Sequence, residues 1–182
     1  MVSQIPRIQD GSCRTQWLIA AVCLLVFTVR SETNNISNRL IDYDRFLAQA
    51  TEVGKLRSQH RVTEQDFLRM AADPATVVLD ARSREKFLQL HVKGGLNLSF
   101  SDMTEDELAK VLPSKSSRVL IYCNNNFLNA PEAFATKAPS ASLNVHTFNA
   151  LYSYGYTNVF ELGPLIDIRS TQLPLEGTRS GR

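Results

Sequence analysis

Two unbroken apolar runs constrain this chain more than any other feature. TVVLD (76–80) and RVLIYC (118–123) lack the apolar–polar alternation of a strand with one solvated face. A strand that is apolar on both faces must be covered on both, which parallel sheets achieve by packing helices on either side. The intervening segments carry helix signals. Thr63 precedes Glu64-Gln65-Asp66 and an apolar stripe of Phe67, Leu68, Met70 and Ala71. Ser83 opens a short helical stretch to Leu90. Thr104-Glu105-Asp106-Glu107 is a capping box ahead of Leu108, Val111 and Leu112, closed by Pro113. Leu96-Asn97-Leu98 and NVFELG (158–163) read as further strands, and SLNVHTFNALYSYGY (142–156) as a helix before the second of them. The expected fold class is α/β: a single domain over residues 61–178, with a parallel central sheet flanked by helices on both faces. Residues 32–60 form a polar lead with a short helix whose apolar face holds Leu40, Ile41, Phe46, Leu47 and Val53. Residues 179–182 are a C-terminal tail.

The segment Trp17–Val29 reads WLIAAVCLLVFTV, with Thr28 its only residue that is not apolar. A helix of that length rises about 20 Å, short of the roughly 30 Å hydrocarbon core of a bilayer. A net-basic stretch precedes it, and Arg30, Ser31 and a polar run follow. Residues 1–31 therefore predict a signal peptide or signal-anchor, cleavage and retention both remaining open. The body is expected to be exported, either periplasmic or anchored to the inner membrane by residues 17–29, with no other membrane contact. Net charge supports no nucleic-acid partner: of the formal +2, all resides in residues 1–30, leaving 17 basic and 17 acidic side chains in the body. Three cysteines also exclude a disulfide scaffold. Cys13 and Cys23 fall in the targeting segment, so Cys123 stands alone as either an inert small hydrophobe or a reactive thiol.

Position favours reactivity. Cys123 ends a central strand, at the sheet edge where α/β proteins bind ligands. The loop Asn124-Asn125-Asn126-Phe127-Leu128-Asn129 follows, and Asn129-Ala130-Pro131-Glu132 predicts an N-cap and a first helical turn. Such a strand–loop–helix unit would aim backbone N–H donors and the positive end of a helix dipole at one sulfur. No metal-ligand spacing joins His60 or His146 to Cys123, and no metal is expected.

Four segments, in order, resemble the rhodanese domain: VVLDARSREKF (77–87), LHVKGGLNL (90–98), VLIYC (119–123) and YGYTNVFELGP (154–164). The resemblance implies an α/β sulfurtransferase in which a Cys123 thiolate accepts sulfane sulfur from a small sulfur-containing anion or persulfide donor. The resulting persulfide passes its sulfur to a thiol acceptor, with no cofactor. Residues 124–129 would be the persulfide-binding loop, with Asp80, Arg82 and His91 in supporting roles. The CNNNF loop and the KAPSASLN stretch (137–144) resemble an exported bacterial subgroup. Active members commonly place an arginine after the cysteine and a basic or hydroxyl residue at the loop's end; here Asn124 and Leu128 stand there. Lys93 and Lys137 are candidates to replace those cations. A catalytically silent binding module on the same fold is the alternative. A Cys-based phosphatase needs a loop arginine to clamp phosphoryl oxygens, and Asn129 occupies its place.

Overall fold

The two apolar runs are adjacent parallel strands. A computed structural model describes Ile36 and residues 38–178. The chain divides into units Met1–Ser37 and Asn38–Arg182; the expected targeting segment, Cys13, Cys23 and the tail 179–182 lie outside the described residues. In chain order the second unit contains α1 (Tyr43–Gln59), β1 (Arg61–Val62), α2 (Glu64–Ala71), β2 (Thr76–Asp80), α3 (Arg84–Gln89), β3 (His91–Val92), β4 (Leu96–Asn97), α4 (Glu105–Val111), β5 (Arg118–Tyr122), β6 (Phe127–Leu128), α5 (Leu143–Ser153), β7 (Val159–Leu162), β8 (Ile166–Asp167) and β9 (Leu175–Glu176). The central sheet has the order β1-β7-β5-β2-β4, every pairing parallel. Two short pairs, β3 with β9 and β6 with β8, lie outside it. Thr63, Ser83 and Thr104 each cap the helix that follows, accepting the N–H of the residue three positions on.

Side chains alternate across the sheet, and the alternation assigns each to one of two cores. Val119 and Ile121 of β5 face α1, α4 and α5, packing with Val53, Leu108, Phe148 and Leu151. Leu120 and Tyr122 face the opposite side, with Phe67 of α2, Phe127 and Phe134. In β7, Val159 belongs to the first core while Phe160 and Leu162 belong to the second.

The lead helix α1 is a wall of this unit. Val53 is fully inside the first core, Leu56 packs against it, and Gln49 donates to Asn149 O and Ser153 Oγ of α5 at 2.9 and 2.6 Å. Burying one such aliphatic side chain contributes about 1.5–3 kcal/mol. The expected apolar stripe is narrower than the sequence implies: Leu40, Ile41, Phe46 and Leu47 are exposed. Asp42 is the N-cap, so Leu40 and Ile41 precede the helix, and only the face turned to α5 is covered.

A second expectation fails at residues 129–134. Asn129 does not cap a helix; it sits at φ +67°, and the segment after it is a turn. Its side chain instead donates to Asp167 Oδ2 at 2.7 Å. Pairing of β6 with β8 holds the chain extended through Phe127–Leu128, which leaves Asn129 to make the left-handed corner that asparagine tolerates. The helix that follows the cysteine is α5, which begins at Leu143.

Candidate functional site at Cys123

Cys123 continues β5 in extended backbone, φ −145° and ψ −177°. By alternation it shares the parity of Val119 and Ile121 and so turns toward α1 and α5. Glu161 of β7 is paired beside Ile121 and has the same parity, which brings a carboxylate to the same face. The two residues share one cavity of about 260 Å³, whose wall also includes Arg57, Arg61, Asn125, Asn126, Ser142 and Asn144. A larger hollow of about 840 Å³ beside β1 and β8 lacks the thiol, so chemistry rather than size selects the smaller one.

Cys123 is 1% exposed; its sulfur meets Ser142 Oγ at 3.4 Å and accepts the backbone N–H of Asn126 in a capping box. Ser142 is the N-cap of α5, yet its hydroxyl makes no capping hydrogen bond. The group that would ordinarily satisfy an orphan helix N–H is turned to the thiol. The positive end of an 11-residue helix therefore abuts Cys123, and a hydroxyl stands ready to donate to a thiolate. The chain leaves the sulfur at residue 123 and returns to it at residue 142. Ser142 thus places a hydroxyl at the sulfur, where residues 124–129 contain no serine or threonine.

The three asparagines fasten this long arm. Asn126 accepts the Cys123 N–H at 2.9 Å through Oδ1 and donates through Nδ2 to Leu162 O and Pro164 O. Asn125 exchanges two hydrogen bonds with the backbone of Lys137, and Asn124 donates to Ala135 O. Asn144 donates to Asn126 Oδ1 at 3.1 Å, while its own Oδ1 is buried with no partner among the described residues. That acceptor, at the cavity wall, suits a ligand or thiol hydrogen.

The cavity's charge comes from a three-residue clamp. Glu161, 1% exposed, receives Arg57 Nε at 2.7 Å on Oε2 and Arg61 Nε at 2.9 Å on Oε1. Two guanidinium groups against one carboxylate leave one positive charge in excess. None of these three was among the residues singled out from sequence. The available signal was Glu161 itself: a charge inside the apolar run VFEL requires a buried cationic partner.

Of the residues expected at the site, only Cys123, Asn125 and Asn126 line the cavity. Asn124 borders a separate hollow with Lys86, Lys137 and Arg82. Phe127 is buried against Tyr122 and Phe134, Leu128 is exposed, and Asn129 is tied to Asp167. Lys93 stands beside Glu176. Asp80 and Arg82 form a buried pair at 2.6 Å, with Arg82 also donating to Leu90 O and Ala133 O. Tyr122 donates to Asp80 at 2.6 Å; burial first, then the negative charge of Asp80, keeps its phenol protonated well above the ordinary range. His91 meets Phe87 O at 2.7 Å and Glu176 at 3.2 Å and stacks on Phe87. Among the described residues no group of three or more His, Cys, Asp or Glu is placed to hold a metal, and no helix is long and apolar enough to cross a membrane.

The profile of the family described as "Rhodanese-like domain" matches residues 63–163, more than half of the chain. The chain belongs to the rhodanese-like family. A solved structure agrees on the fold. The rhodanese-like domain of the Alr3790 protein from Anabaena sp. superposes with a TM-score of 0.50 at 22% identity, covering 68% of this chain and 83% of that one. The BH2092 protein from Bacillus halodurans gives 0.49 at 19% identity, covering 76% and 88%. A rhodanese from E. coli solved with anions gives 0.37 at 21% identity, covering 56% and 98%. No curated protein matches the chain. In this rhodanese-like domain the segment between the cysteine and α5 spans 124–142, and α1 precedes the matched region.

Proposed function

We propose that this rhodanese-like protein is a sulfurtransferase or persulfide carrier with Cys123 as its nucleophile, acting outside the cytoplasm on the address in residues 1–31. The observation that carries this reading is the setting of the Cys123 sulfur. It lies on the wall of a polar cavity, 3.4 Å from the Ser142 hydroxyl and at the N-terminus of α5. A hydroxyl and the positive end of a helix both face the sulfur. With thiosulfate as donor, the thiolate attacks the outer sulfur, the S–S bond to the sulfonate breaks, and sulfite leaves with the bonding electron pair. Cys123 then carries a persulfide. A thiolate acceptor attacks the terminal sulfur, becomes a persulfide itself and releases the Cys123 thiolate. The negative charge that shifts to the terminal sulfur stays within the cavity.

Mass spectrometry of the intact protein after exposure to thiosulfate or a polysulfide tests this. The expected result is a gain of one sulfur atom that a thiol acceptor reverses and that Cys123→Ser abolishes. A protein that gains no sulfur on Cys123 from either donor is not a sulfurtransferase. The 1% exposure of Cys123 favours one other reading, a binding module that keeps the fold without the chemistry. In that case Cys123→Ser leaves the protein's biological role unchanged.

A further inference from the structure

We infer that Arg57 and Arg61, held side by side by Glu161, are the anion-recognition wall of the Cys123 cavity, so that this site selects negatively charged small molecules through cations supplied by α1 and β1 rather than by the loop after the cysteine. The identification of that anion as a sulfur donor rests on the function proposed above; the selectivity for charge does not.

Three observations converge. First, both arginines line the same cavity as Cys123. Second, Glu161 engages each through Nε alone. Among the described residues the terminal nitrogens of Arg57 have no acceptor, and Arg61 spends Nη2 on Gly163 O at 2.9 Å. A guanidinium whose Nε is fixed but whose fork is free is oriented for a second, planar acceptor such as a sulfonate or carboxylate. Third, the side chains are graded in exposure: Glu161 at 1%, Arg57 at 29% and Arg61 at 52%. The carboxylate is engaged by both ion pairs, and the two cations are the more exposed members of the clamp. Glu161 is thus a positioning residue, and the excess positive charge faces the opening. A volume of about 260 Å³ lies below the range of drug-sized ligands and suits a small oxyanion.

The test compares alkylation of Cys123 in the full-length protein by iodoacetate and by iodoacetamide. In both cases the thiolate displaces iodide at one carbon, and the reagents differ in one carboxylate. The ratio of iodoacetate to iodoacetamide rates, normalised to a free thiol, is expected to exceed one in the native protein. It should fall about tenfold in Arg57→Gln/Arg61→Gln. The iodoacetamide rate alone, held within about threefold, verifies that the variant is folded and open. Arg57→Lys should retain most of the ratio, since charge persists while the fork is lost. In the unmodified protein, inorganic sulfate should slow iodoacetamide alkylation where chloride at equal ionic strength does not, a readout that needs no variant. An unchanged ratio in the double variant, no sulfate protection, or a Cys123 closed to both reagents each overturns the inference. Charge selectivity without any gain of sulfur from thiosulfate would keep the anion wall and remove the sulfurtransferase reading. Sulfur gain with no charge selectivity would do the reverse.

Discussion

Among the described residues a carboxylate is buried against guanidinium in two places, and the two differ in how the remaining N–H groups are used. At Asp80 and Arg82 the guanidinium is enclosed: Nε and Nη2 meet Asp80, Nη1 meets Ala133 O, and Nη2 also meets Leu90 O. Tyr122 and Phe134 lie against its faces. That cluster ties the end of β2 to the loops around it. At Glu161 the carboxylate is equally buried, but its two arginines reach the surface with donors left over. The same chemical parts make a fastener where every guanidinium nitrogen is engaged internally and a receptor where some are not.

Breaking each cluster should expose that difference. Arg82→Ala strands a buried Asp80 and should cost about 3–5 kcal/mol in denaturant titration, the usual consequence of removing one partner of a buried pair. Any loss of sulfur loading in that variant should follow only the folded fraction. Ser142→Ala should act in the opposite sense. A hydrogen bond to a charged sulfur is worth about 1.5–3 kcal/mol, so the second-order rate of loading from thiosulfate should fall roughly 10- to 100-fold. Stability should change by less than about 1 kcal/mol, because the hydroxyl caps nothing. Arg57→Gln should destabilise less than Arg82→Ala in the same titration, since Arg61 remains on Glu161 and the side chain is partly solvated. The smallest effect concerns the arm's anchor. The Asn129 amide, then the Arg169 backbone N–H, hold the Asp167 carboxyl below its ordinary value of 3.8. A depressed folded-state pKa contributes stability that is present above the ordinary value and lost as pH falls through the folded one. Asn129→Gly removes the amide without strain at φ +67°. An NMR titration of the carboxyl carbon should then move upward toward 3.8.

Much of the architecture was legible in local sequence. The apolar runs at 76–80 and 118–123, the caps at Thr63, Ser83 and Thr104, and the closing helix and strand all correspond to observed elements. These signals are short-range: a cap or a strand is written within a few residues. The surroundings of the sulfur are not. Asn129-Ala130-Pro131-Glu132 has the local chemistry of a helix start, but the β6–β8 pairing, set by residues nearly forty positions away, overrides it. Ser142 and Arg57 reach the site from 19 residues later and 66 residues earlier in the chain. Nothing in their own neighbourhoods indicates that they converge. Even so, period-two counting from Val119 and from Val159 puts Cys123 and Glu161 on one face, so half of the pairing was available from parity alone.

The position of α1 changes where the working unit begins. The family match opens at residue 63, after both Arg57 and Arg61. A fragment cut at that boundary would keep β2, β5, β7 and the nucleophile, yet lose one side of its own binding chamber and leave Glu161 charged and uncovered. Assays on such a fragment would describe a different molecule, and inactivity there would say nothing about the intact protein. Recombinant versions meant to report on chemistry should therefore start upstream of Asp42, where the helix is capped.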